Sequence, residues 1–198
     1  RPPAPEGSQA ETDRALIGRR LAVYQLVRAC TQHALTALYG DAGVGKSAVV
    51  RAAALYTRAR HLFPGGVYVA DMRGVSSTKA IIANIAKTVG MEADGTVRRV
   101  SDIAGHLRRR GRALLVLDRC ETAVQKCSKP LCWFLSALCA ESRAAVVMTS
   151  QRALPPDADA LVGAEVSVGE VELGPLLPLE AAALLSDGMR RGGRALTA

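Results

Sequence analysis

The segment at 40–47 reads GDAGVGKS, and it constrains the fold more strongly than any other part of the chain. Glycine weakens both helices and strands, so three glycines between two apolar runs indicate a loop whose backbone needs conformations that other residues avoid. The spacing fits the pattern G-x-x-x-x-G-K-[ST], in which backbone N–H groups of the loop surround phosphate oxygens. The composition gives roughly 0.004 chance matches to this pattern, so the segment predicts a phosphate-binding loop.

The context of the loop points to a nucleotide as its ligand. The run 34–40 predicts a strand before the loop, and the alanine-rich run 47–60 predicts a helix after it. That helix would direct its positive N-terminal end at the phosphates, Lys46 would reach the β- and γ-phosphates, and the Ser47 hydroxyl would ligate Mg²⁺. A dinucleotide loop competes weakly, because the glycine order does not fit G-x-G-x-x-G. The predicted nucleotide-binding residues of this loop are Gly40, Asp41, Ala42, Gly43, Val44, Gly45, Lys46, Ser47 and Ala48.

A second candidate feature ends another apolar run, RALLVLD at 112–118. Such a run suits a strand buried on both faces of a parallel sheet, and an acid at its tip can hold Mg²⁺ directly or through water. Asp118 is therefore predicted to bind the metal together with Ser47. Glu121 is the candidate for polarising an attacking water, so the predicted catalytic residues are Lys46, Asp118 and Glu121. Arg119 stands where many proteins of this layout carry a second acid, which argues against fast hydrolysis.

The next apolar run, 144–150, also ends in polar residues. Thr149, Gln151 or Arg152 could contact the γ-phosphate from this strand tip. An ordinary polar strand end explains the pattern equally well. Arg152 is included among the predicted nucleotide-binding residues.

The rest of the chain alternates strands with helices, which predicts an α/β fold with a parallel sheet and right-handed crossovers. Further strands are predicted at 65–72 and 165–173, the second weakened by Gly169. Helices are predicted at 19–33, 76–90, 100–111 and 178–189, with another opened by Pro130 and continuing to 140. The domain prediction is a linker at 1–13, a nucleotide-binding domain at 14–190 and, at 191–198, a tail that begins a truncated downstream region.

The formal net charge of +8 comes from 26 basic and 18 acidic residues. A basic balance raises the expectation of a polyanionic partner. The arginines are scattered along the sequence, however, and aromatic residues make up only 4%, so platforms for stacking bases are scarce. The charge pattern therefore argues against nucleic acid as a partner.

The cysteine and hydropathy patterns indicate the cellular compartment in which the protein is expected. The five cysteines lack the paired spacing of a zinc site, and the three histidines stand alone, so free thiols in a reducing compartment, the cytoplasm, are expected. No apolar stretch approaches the roughly 20 residues of a membrane span. The chain begins without Met and without a secretory signal, which suggests a piece of a longer protein.

In this order, the segments resemble the nucleotide-binding domain of signal transduction ATPases with numerous domains (STAND), the group that includes the NB-ARC domains. The resemblance covers residues 16 to about 186. LIGRRLAVYQL resembles the group's opening segment, GDAGVGKSAVV its phosphate loop and GGVYVADMRGVSS its strand GVYWVDLRG. LLVLDRCE is close to its LLVLDNCE, VVMTSQR is similar to its LLTSRE strand, and VELGPLLPLEAAALL resembles its L-x-PL-x-x-x-EA-x-x-LL segment. Gly18 and Arg19 are the matching positions of the opening segment, which in the group meets the adenine and ribose. Gln151 replaces the arginine that follows "TS" in the group, and Arg152 lies one place later.

The resemblance implies a three-layer fold with a five-stranded parallel sheet of strand order 2-3-4-1-5. It also implies an ATP/ADP switch with Mg²⁺ that has weak ATPase activity at most and acts on other domains of the same polypeptide, with a homo-oligomer in the ATP state. Part of the lid that closes over the nucleotide would lie beyond this chain. Two alternatives stay open: an oligomeric ATPase of the AAA+ type, and a scaffold that binds nucleotide without turnover or binds nucleic acid.

Overall fold

The computed structural model describes residues 17–91, 99–153 and 166–195, with the side chains of 191–195 left out. The described strands are β1 (Leu35–Tyr39), β2 (Val67–Asp71), β3 (Leu114–Asp118), β4 (Ala145–Ser150) and β5 (Val168–Glu172). The described helices are α1 (Arg20–Gln32), α2 (Lys46–Ala59), α3 (Thr78–Thr88), α4 (Val100–Arg110), α5 (Glu121–Glu141) and α6 (Pro178–Ala195).

The strands form one parallel sheet in the order β2-β3-β4-β1-β5. This confirms the predicted α/β fold and its strand order of 2-3-4-1-5. Because neighbouring strands run in the same direction, all of them begin at one edge of the sheet and end at the other. The residues that follow β1, β3 and β4 therefore meet at one edge, where ligands of open α/β sheets bind.

Helices cover both faces of the sheet and complete three layers. One core cluster joins α3, α4 and α5 to the sheet and contains Phe134, the largest fully buried side chain. The other cluster joins α1 and α2 to the opposite face. Every residue of β3 and β4 is buried, as expected of inner strands with a helix layer on each side, whereas the outer strands β2 and β5 are only partly buried.

The helix after β3 differs from its prediction. Pro130 does not open it, because α5 already begins at Glu121. The helix is interrupted at Cys127, whose φ of −144° and ψ of 45° are not helical. Pro130 thus lies in the first turn of the second segment, where a backbone N–H has no partner within the helix and its absence costs nothing. The second segment begins just after Cys127, ahead of Pro130, and the first segment, which begins at Glu121, was not predicted from the sequence.

All five cysteines are buried free thiols. Burial raises the pKa of the Cys30 thiol to about 11 and that of Cys139 to about 12. These side chains therefore stay protonated at neutral pH and pack as small apolar residues.

The ends of the predicted domain are only partly described. The predicted linker at 1–13 lies outside the described residues, and α6 continues past residue 190 to Ala195. Within the described ranges, none of the helices combines the length and the apolar character that crossing a bilayer would require.

Candidate functional site

The predicted phosphate loop connects the end of β1 to the start of α2. Its three glycines have positive φ angles, 152° at Gly40, 77° at Gly43 and 103° at Gly45. Gly45 is the N-cap residue of α2 and has no side chain that could accept a hydrogen bond from the first N–H groups of the helix. The first turn of α2 also contains no acidic residue. The first N–H groups of α2 and the positive end of the helix dipole therefore face the loop, an arrangement that suits an anion. The remaining predicted loop residues occupy the surface around it, with Asp41 and Ala42 exposed and Val44 and Ala48 half-buried.

Gly40 is also required by a close backbone contact. A Cβ atom at this position would lie 2.3 Å from the carbonyl oxygen of Leu173, immediately after β5. In the same place, the Leu173 N–H donates to the Tyr39 carbonyl at 2.8 Å. At the start of the loop the backbone therefore lies in close contact with the end of β5. A side chain at Gly40 would force the two segments apart.

Lys46 points its ammonium group into the loop. The side chain is buried, and Nζ donates to the carbonyl oxygens of Gly40 at 2.7 Å and Asp41 at 2.9 Å. Among the described residues, no carboxylate forms an ion pair with it. A buried positive charge held only by carbonyl dipoles leaves strong attraction for an anion at this point.

Asp118 accepts hydrogen bonds from two hydroxyl groups at the edge of the sheet where the strands end. The carboxylate is buried, and its Oδ1 accepts hydrogen bonds from Ser47 Oγ at 2.9 Å and from Thr149 Oγ1 at 2.8 Å. The three side chains come from α2, β3 and β4, which the fold brings together behind the loop. One carboxylate and two hydroxyl groups are hard oxygen donors, so this donor set fits Mg²⁺.

Arg119 adds a cation beside this carboxylate. Its φ of 67° is left-handed, which is uncommon for a residue other than glycine. The Arg119 N–H donates to Thr149 Oγ1 at 2.7 Å, and the guanidinium pairs with Asp71 at 2.9 Å. Arg119 Nε lies 3.8 Å from Asp118 Oδ2. Asp118 therefore has one oxygen toward the hydroxyl groups and the other toward a positive charge.

Gly18 and Arg19 lie beside the loop. Arg19 is buried, and its terminal nitrogens donate to the carbonyl of Val44 at 2.7 Å and to that of Gly174 at 2.9 Å. At Gly18, a Cβ atom would lie 2.7 Å from the side chain of Glu180 in α6. Arg19 thus ties the phosphate loop to the segment after β5, and its predicted adenine contact stays a prediction.

The structure does not bring Glu121 and Arg152 into this cluster. Glu121 is the first residue of α5 and is half-buried, and Arg152 lies exposed after β4. Neither side chain forms a hydrogen bond with the loop or with Asp118 within the described ranges. Sequence reasoning in turn missed the pairing of Asp71 with Arg119. The available signal was that Asp71 ends β2 and Arg119 directly follows Asp118, the last residue of β3, which pairs in register with Asp71.

Comparison with known proteins gives one family and a group of similar folds. The family described as Novel STAND NTPase 1 (nSTAND1) matches residues 8–182. No curated protein has a significant match to the chain. The family match confirms the STAND resemblance, while the particular likeness to NB-ARC domains stays a prediction.

Solved structures with a similar fold include a Walker-type ATPase and two Orc structures that contain DNA. The Orc1 protein of Aeropyrum pernix in complex with DNA is 19% identical with a TM-score of 0.67, and covers 87% of this chain and 49% of its own. A Walker-type ATPase of Pyrococcus abyssi is 15% identical with a TM-score of 0.69, and covers 88% of this chain and 58% of its own. Drosophila ORC bound to DNA is 16% identical with a TM-score of 0.67, and covers 96% of this chain and 52% of its own. The chain thus spans about half the length of these structures, and the likeness concerns the fold.

These structures correct the argument against nucleic acid as a partner. Two of the similar folds, Aeropyrum pernix Orc1 and Drosophila ORC, were solved with DNA bound. Few aromatic residues give no ground for excluding nucleic acid, because a duplex is held mainly through its phosphates and needs no stacking platform. Arginines that are scattered in the sequence can also meet on one surface of a folded chain.

Proposed function

The chain belongs to the Novel STAND NTPase 1 family, and from that premise we propose that it is a switch domain that binds ADP and ATP with Mg²⁺ and hydrolyses ATP slowly at most. The chain is a P-loop nucleotide-binding domain of the STAND type. The observation that carries the proposal is the convergence of Ser47, Asp118 and Thr149 directly behind the loop. This is the polar arrangement that a Mg²⁺–nucleotide complex requires.

The loop and the side chains around it have distinct roles in this proposal. The N–H groups of the loop and of the first turn of α2 bind phosphate oxygens, and the Lys46 ammonium exchanges its two carbonyl partners for the β- and γ-phosphates. Ser47 and Asp118 hold Mg²⁺, which when bound neutralises charge on the phosphates. Arg19 keeps the loop against the segment after β5 and contributes positive charge beside the phosphates.

Slow hydrolysis follows from the residues near Asp118. Glu121 is the proposed water-polarising residue, but its carboxylate is not hydrogen-bonded to the cluster in the described structure. Arg119 occupies the position of a second acid with the opposite charge, and a cation there cannot accept a proton from water. A site of this kind retains its nucleotide, which suits a switch, and Arg152 is the proposed residue that distinguishes ATP from ADP.

Calorimetric titration of Mg-ADP and Mg-ATP into the chain tests the proposed function. We expect one site per chain, with ADP bound more tightly than ATP and with turnover too slow to disturb the titration. Equal affinities with rapid turnover would favour an oligomeric motor ATPase over a switch. Absence of binding by either nucleotide would contradict the proposal.

Replacing Arg119 with asparagine is expected to increase the Mg²⁺ dependence of ADP binding. Asparagine tolerates the left-handed backbone of this position, and the change removes a cation that lies 3.8 Å from the metal-binding carboxylate. Partial screening by Asp71 limits the effect to about 1 kcal/mol, or about fivefold. The measurement is the ratio of ADP affinities with Mg²⁺ and with a chelator.

The matched variant is Asp71→Asn, which removes the carboxylate that pairs with the Arg119 guanidinium at 2.9 Å and leaves Asp118 beside it. The same affinity ratio should then fall, because the unscreened cation opposes Mg²⁺ more strongly. A shift of both variants in the same direction would refute the electrostatic account of Arg119.

A further inference from the structure

A concentration of positive charge lies at the edge of the sheet opposite the phosphate loop. Three turns lead there from a helix into a strand, at 58–66, 108–113 and 141–144, and we call them together the basic edge. They contain a single carboxylate, Glu141. They carry seven arginines, all exposed: Arg58, Arg60, Arg108, Arg109, Arg110, Arg112 and Arg143.

The parallel register places like charges side by side. Arg112 and Arg143 each stand two residues before a register pair of β3 and β4, Leu114 with Ala145. Neighbouring strands lie about 5 Å apart, and like charges that face each other on adjacent strands are destabilising. The sequence separates these arginines by thirty-one positions, so only the fold creates this concentration of charge.

Several of these arginines are held in place and still have free donors. Arg58 and Arg112 each donate through one terminal nitrogen to a backbone carbonyl, at 2.8 and 2.6 Å, and Arg110 donates to the Tyr68 hydroxyl at 2.7 Å. A guanidinium has five N–H donors, so most remain available for a ligand. In the described ranges, none of the seven arginines forms an ion pair with a carboxylate.

Helix ends explain only part of the cluster. Basic residues in the last turns of α2 and α4, such as Arg58 and Arg108, interact favourably with the helix dipoles. Arg60 caps the end of α2 and lies over the Tyr56 ring at 4.5 Å, and Arg112 lies over the Phe63 ring at 5.3 Å. Arg143 lies beyond the end of α5. None of these local contacts neutralises the positive charge of the arginines, which stays available to an anion.

We propose that the basic edge binds the phosphate backbone of double-stranded nucleic acid. Arginine forks bind phosphate oxygens in pairs, and the seven exposed arginines provide a row of such contacts. The centre of a protein interface would be apolar and depleted of charge, but no large apolar side chain of these turns is exposed, and Phe63 is buried. Binding of single strands would need exposed aromatic rings for stacking, which these turns also lack.

The basic edge and the nucleotide site lie at opposite ends of the strands, so the two can be tested separately. Fluorescence anisotropy with a labelled DNA duplex of about 30 base pairs should show binding that weakens about 100-fold between about 50 and 200 mM salt, as about four phosphate contacts would give. The test variant is Arg108→Gln/Arg109→Gln/Arg143→Gln, which removes three arginines whose side chains make no hydrogen bond in the described structure. We expect it to weaken DNA binding more than tenfold and to reduce the salt dependence.

The control variant, Arg20→Gln/Arg51→Gln/Arg73→Gln, removes the same charge from exposed positions outside the basic edge. It should change DNA affinity by less than threefold, and both variants should bind ADP as the unmodified chain does. Equal loss of DNA binding in the two variants would refute a site at the basic edge. Absence of DNA binding by the unmodified chain would overturn the proposal too, as would tighter edge-dependent binding to polyglutamate or to anionic lipid vesicles than to DNA.

Discussion

Replacing Lys46 with alanine is expected to abolish binding of ADP and ATP. Nζ is buried in the loop and donates to two carbonyl oxygens, at 2.7 and 2.9 Å, where the phosphates of a nucleotide would compete for it. Hydrogen bonds to a charged group contribute about 1.5–3 kcal/mol each, and the loss of two such bonds corresponds to more than about 100-fold in affinity. Calorimetric titration should therefore detect no binding by Lys46→Ala.

The control is Lys79→Ala, which removes an equal charge from an exposed position in α3. It should bind ADP with unchanged affinity. Circular dichroism of Lys46→Ala without nucleotide establishes whether the variant folds, since the loop carbonyls lose a donor there. If folded Lys46→Ala bound ADP within threefold of the unmodified chain, the assignment of the loop would be wrong.

Replacing Gly40 with alanine is expected to lower the free energy of unfolding by about 3 kcal/mol, a cost typical of overpacking in a well-ordered position. The new Cβ would lie 2.3 Å from the Leu173 carbonyl oxygen, a backbone atom that cannot turn away. The contact between β1 and β5 would have to open. Urea denaturation followed by circular dichroism measures the loss.

Gly43→Ala separates this close contact from simple backbone strain. Gly43 lies in the same loop with a φ of 77°, but a Cβ atom there would have nothing within 4 Å. The expected cost is only the left-handed conformation of alanine, about 1 kcal/mol. Equal destabilisation by both substitutions would show that the approach of Leu173 does not matter.

Local sequence patterns predicted the elements of the site well because each depends on neighbouring residues. The glycine spacing and Lys46 predict the loop, because the residue types that the loop requires are set by the geometry of a single turn. The apolar run before Asp118 predicts β3, because an inner strand of a parallel sheet needs apolar residues on both faces. The strand order is confirmed as well, but it was expected from the family resemblance and not from periodicity. The roles of the individual site residues remain predictions.

The sequence interpretation failed where the answer depends on packing between distant segments. Pro130 is predicted to open a helix. In the structure the helix begins earlier, at Glu121, and is broken at Cys127, so Pro130 lies within the second helical segment. The sequence shows that Arg119 replaces a second acid after Asp118, but no local pattern predicts that its guanidinium pairs with Asp71. The arginines are scattered along the sequence, and no local pattern predicts that seven of them meet at one edge of the sheet.

The sequence by itself determined the phosphate loop, the buried strands and the helices between them, because turn chemistry and hydrophobic periodicity act over a few residues. Only the tertiary structure decided which side chains meet. Parallel pairing brings the ends of β1, β3 and β4 to one edge, where Ser47 and Thr149 share one oxygen of Asp118. The same pairing gathers seven arginines from three separate turns at the other edge. Strand register joins residues that are far apart in the chain, and for that reason periodicity within a single segment could not predict these contacts.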